Sequence, residues 1–128
     1  MTQALNDTTV LTEDEFNLRE ELAGIDADID AAKQEVAIAE AYKRLLDNPD
    51  YKLVIQDRFI AGESARVCEM LTMDAHLKPE QAESLSVILG HIRYLKATLK
   101  YLIEDGEFAK QNIEKLEDAR KEITAGAN

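Results

Sequence analysis

Two heptad seams separated by a helix-breaking Asn48–Pro49 step constrain this chain more than any other feature. In residues 18–46, Leu18, Leu22, Ile25, Ile29, Ala32, Val36, Ala39 and Leu46 follow alternating steps of four and three, with Lys43 filling one seam position. Such a stripe is too narrow for an ordinary amphipathic helix and has the spacing of a coiled-coil seam. Thr12 and Glu15 stand at capping-box spacing, and Glu13 and Asp14 suit the positive end of the helix dipole, so a long helix is expected over about residues 13–46.

The second seam runs through Leu85, Ile88, Ile92, Leu95, Leu99, Leu102, Gly106, Ala109, Ile113, Leu116, Arg120 and Ile123. Pro79 is a suitable first helical residue, which predicts a helix over about residues 79–123. The two helices would be roughly 51 and 67 Å long at 1.5 Å per residue. Leu89 and Ile103 widen the later seam, so that helix is expected to touch more than one neighbour.

Antiparallel pairing of the seams gives a specific register. Leu22 faces Leu116, Ile25 faces Ile113, Ile29 faces Ala109, Ala32 faces Gly106, Val36 faces Leu102 and Ala39 faces Leu99. The flanking pairs are then Arg19 with Glu117, Asp26 with Lys110 and Glu40 with Lys96, all of opposite charge. A slip of one heptad either way creates like-charge pairs, so the charges select the register while the apolar layers supply most of the stability. The same layers form whether the helices belong to one chain or to two. The expected fold is all-α: two long heptad helices in an antiparallel coiled-coil hairpin, with a short helical insert between them.

That insert, about residues 49–73, opens where Pro49 disfavours helix at the preceding residue, which makes Asn48 the natural cap. Read at helical spacing, Tyr51, Val54, Ile55, Arg58, Phe59 and Ile60 form a sticky face and a candidate interface, with Gly62 bending or interrupting the helix. Residues 1–11 are polar and aperiodic and are expected to be a flexible arm, with residues 12–124 as a single helical domain and 125–128 as a disordered tail.

The run AYKRLLDNPDYKLVIQDRFIAGESARVCEML, residues 41 to 71, resembles short helical proteins of tailed bacteriophages, in which an N-P-D-aromatic turn separates two helices. The resemblance covers about a quarter of the chain, and the Asn48–Tyr51 turn is its one sharp motif. It carries no activity and no functional residue. What it implies is context: a phage gene product in the cytoplasm of an infected bacterial host, or in the virion, with itself or other phage proteins as partners.

Composition narrows the function classes. The formal charge is −11, and residues 1–47 hold 12 acidic against 4 basic side chains, so nucleic acid is a disfavoured partner. The lone Cys68 and the lack of any long apolar run point to a protein of a reducing compartment with no membrane association. Asp26, Asp28 and Asp30 imitate the start of a calcium loop, but Ala31 stands where the turn needs Gly and Ala37 where the loop needs Glu. His76, His91 and Cys68 have neither zinc-site nor nucleophile spacing, and AGESA around Ser64 lacks the second glycine of a nucleophile elbow.

No cofactor and no enzymatic activity are therefore expected. Arg58 and Arg66 with Asp57, Glu63 and Glu69 offer either an ion network or ordinary helical surface pairs. Arg93, Lys96 and Lys100 make the one acid-free basic stretch. The reading that fits best is a non-enzymatic self-assembly or protein-interaction component of a phage particle. The alternatives are a small DNA-packaging subunit and an acidic inhibitor of a host protein.

Overall fold

The computed structural model describes residues 11–127 and is all-α among them. Helix α1 spans Glu13–Leu46, α2 Pro49–Tyr51, a π-helix Lys52–Ala61, α3 Gly62–Met73 and α4 Pro79–Ala127. The long helices α1 and α4 pack antiparallel, with the helical insert between them in sequence. Except for Leu11, the N-terminal arm expected from sequence lies outside the described residues. The tail expected from residue 125 is instead a continuation of α4 to Ala127, and Thr124 Oγ1 bonds the Arg120 carbonyl at 2.8 Å in that last stretch.

Side-chain and backbone caps set the boundaries. The Glu15 N–H donates to Thr12 Oγ1 at 3.1 Å, satisfying one of the free amides at the start of α1. Asn48 Oδ1 accepts from the N–H groups of Asp50 (2.9 Å) and Tyr51 (3.3 Å), with Pro49 in the first turn, so the chain leaves one helix and enters the next within two residues. Asp74 ends α3 in an extended conformation and its carboxylate accepts from the His76 N–H at 2.9 Å. Gln81 Oε1 then takes the Lys78 N–H at 3.1 Å ahead of α4.

The chain divides into two compact units. Unit 1 holds α1 up to Val36 together with α4 from Glu107 onwards. Its core includes Ile29, Ala32 and Ala109, with Leu22, Ile25, Val36, Ile113 and Leu116 half-buried around them. Arg120 Nε donates to Asp26 Oδ1 at 2.8 Å across the two helices. This corrects the sequence-based register, which gave Asp26 to Lys110, ten residues earlier. Arg120 is a seam residue and Lys110 a flanking one, so the helices pair at a different offset from the one those charges favoured. The exposed flanking charges are too weak to forbid it.

Unit 2, Ala37–Gly106, holds the end of α1, the whole insert and the first part of α4. Ala39, Tyr42, Val67, Ile92 and Gly106 are buried there, while Leu99 and Leu102 are half-buried. Tyr42, not Lys43, takes the inward position on α1. A straight helix drifts by about 20° per heptad against a 3.5-residue repeat, enough to hand the inward place to the neighbouring residue after several turns. The same drift makes Ala119 half-buried in unit 1 while Arg120 is exposed.

Candidate interaction surface

The insert is where the structure departs most from α-helical expectation. Residues Lys52–Ala61 form ten residues of π-helix, a geometry mostly confined to single-turn bulges. Bonds from residue i to i+5 widen the turn to about 4.4 residues, so inward positions recur every four to five residues rather than every three to four. Tyr51, Ile55, Gln56 and Ile60 accordingly are half-buried, whereas Leu53, Val54, Arg58 and Phe59 are exposed. The sticky face read at α-helical spacing is thus split. Tyr51, Ile55 and Ile60 serve the fold; Val54, Arg58 and Phe59 turn outward and are joined by Leu53, which helical spacing did not single out.

Gly62 marks the change back to α geometry. Its N–H bonds the carbonyls of both Asp57 and Phe59, and its own backbone stays in the right-handed helical region, so the helix runs through Gly62 without interruption. A β-carbon on residue 62 would stand 3.1 Å from the Asp57 carbonyl oxygen. The absence of a side chain permits that close approach. Beyond it, Ser64, Val67 and Leu71 return to α spacing, and Val67 is fully enclosed.

The insert is held to α1 by an edge-on contact of the Tyr42 and Tyr51 rings, with centroids 6.2 Å apart and planes at 85°. Burial, followed by hydrogen bonding to Tyr42, pushes the Tyr51 phenol up to about 12. Arg66 meets Glu63 at 2.8 Å on the surface of α3, and this hydrogen bond holds the Glu63 carboxyl below its ordinary range. That pair is an exposed i,i+3 contact within one helix, the simpler of the two arrangements open to the arginines.

The second feature of unit 2 is a groove of about 810 Å³ among α1, the insert and α4. Ile60, Leu89, Ile92, Leu99 and Ile103 make it apolar, while Arg93, Lys96 and Lys100 line one side and no carboxylate does. Lys96, given to Glu40 in the sequence-based register, has no ion pair among the described residues, and Glu40 meets Lys43 at 3.5 Å on its own helix. Cys68 is a free thiol that opens onto the groove. No group of histidine, cysteine and carboxylate side chains suited to a metal exists among the described residues, and no described helix is long and apolar enough to cross a membrane.

No protein-family model matches the chain, and neither a curated protein nor a solved structure is found similar to it.

Proposed function

We propose that the protein is a non-enzymatic helical assembly component, acting by association with itself or with another protein, and that it serves the building of a tailed-phage particle. The observation that carries this reading is the outer face of the π-helix. Leu53, Val54 and Phe59 are 64, 56 and 42 % exposed on a segment whose backbone is tied down at Asn48 and Gly62. A rigid apolar face left in water is a characteristic of association surfaces. Arg58 on the same face adds a group enriched at interfaces. The phage context rests on the Asn48–Tyr51 turn and its resemblance.

Phe59→Asp tests the proposal. Since Phe59 is 42 % exposed, the variant should keep the helical content of the parent while its oligomeric mass falls. Loss of folding would instead make this face part of the core. A small DNA-packaging subunit is the second reading, favoured by the exposed, carboxylate-free Arg93–Lys100 stretch. Salt-sensitive retention of duplex DNA would support it, and no retention at low salt would remove it.

A further inference from the structure

The groove of unit 2 has an apolar floor and three cations on one wall, and the −11 charge of the chain makes such a carboxylate-free strip exceptional on its surface. Arg93 and Lys100 are seven residues apart on α4, about 10.5 Å along the axis, with Lys96 between them. The matching element lies on α1. Glu13, Phe16, Glu20, Ala23 and Ala27 share its outward face, all exposed, with Phe16 52 % exposed and away from the Leu18–Leu22 seam. Glu13 and Glu20 are also seven residues apart, so two carboxylates flank an exposed ring at the spacing at which two cations flank the groove. The alanines beyond leave that face low enough for close approach of another helix.

We propose that the groove receives the Glu13–Phe16–Glu20 face of a second copy of this chain, with Phe16 on the apolar floor and the carboxylates against Arg93 and Lys100. This deepens the self-assembly reading and rests on it. Donor face and acceptor groove are different surfaces, so the contact is heterologous and each copy can both give and receive. Such contacts close into a ring or continue as a filament rather than stopping at a two-fold dimer. Two copies of charge −11 repel each other at a distance, and the local match of opposite charges is what orients the encounter.

The test uses the full chain and its mass in solution by sedimentation velocity. Glu13→Lys with Glu20→Lys, and separately Arg93→Glu with Lys100→Glu, alter only exposed side chains; each pair should weaken assembly tenfold or more. Circular dichroism should show the helical content unchanged. An equimolar mixture of the two charge-reversed chains should recover assembly, because every donor face again meets an oppositely charged groove. Phe16→Ala should weaken assembly without changing its charge. If the reversed chains assemble as the parent does while Phe59→Asp abolishes assembly, this contact is overturned and the self-assembly reading stands. A parent chain that stays monomeric throughout overturns both.

Discussion

Arg120 and Asp26 meet at 2.8 Å across α1 and α4, a pairing that departs from the register the surface charges favour, in which Asp26 belongs to Lys110. Both side chains are about half exposed, 45 and 51 %, so the bond reports the register without being able to set it. A double-mutant cycle on Asp26→Ala and Arg120→Ala should give a coupling of roughly 0.2–1 kcal/mol that shrinks with added salt. The same cycle on Asp26 and Lys110 should give a coupling near zero. A sizeable Asp26–Lys110 coupling with none for Asp26–Arg120 would restore the sequence-based register.

The small buried residues of the helix pair should tolerate no enlargement. Ala32 is 6 % exposed in unit 1 and Gly106 is buried in unit 2. Ala32→Leu and Gly106→Leu should each destabilise by about 1–3 kcal/mol, because added methylenes force neighbouring side chains off their rotamers. Denaturant midpoints measure this, and an unchanged midpoint for Ala32→Leu would contradict close packing at that layer.

Glycines offer an internal control. Nothing lies within 4 Å of a β-carbon built on Gly24 or Gly90, both in helices, so alanine there should stabilise by about 0.5–1 kcal/mol. Gly62→Ala gains the same chain stiffness but presses on the Asp57 carbonyl, which is backbone and cannot simply swing aside. Its midpoint should therefore fall below that of Gly90→Ala. Equal stabilisation at the two positions would mean that the π-helix yields freely.

The fold was legible in the sequence at the level of elements and much less so at the level of faces. Thr12, Asn48 and Pro79 announce helix boundaries through local chemistry, and the helices start where those residues place them. Register was not legible, since it turns on how buried residues of different size fit together, which the heptad pattern does not encode. Nor was the outward turn of Val54 and Phe59, because choosing a face requires a period, and no residue type signals bonds from i to i+5 in advance. The groove's cations were visible as an acid-free stretch. Their apolar floor was not, since Ile60, Leu89 and Ile103 come together only once the insert has folded back on α4.

Alkaline pH should act on Tyr51. Its phenol is raised from 10.0 to about 12 in the folded chain, mainly by burial and then by Tyr42. The neutral form is thus favoured by folding, and the stability gained is complete below the unfolded value near 10 and lost as pH rises towards about 12. Denaturant midpoints of the parent should fall over that window, and Tyr51→Phe should flatten the decline. An equal decline in both proteins would show that the Tyr42–Tyr51 contact does not hold the phenol neutral.

Self-association is the central claim, and the solution mass of the parent chain, by light scattering over a range of protein and salt concentrations, tests it most directly. The exposed π-helix face requires a mass above that of one 14.4 kDa chain, which Phe59→Asp lowers. A mass of 14.4 kDa at every concentration and salt would contradict it.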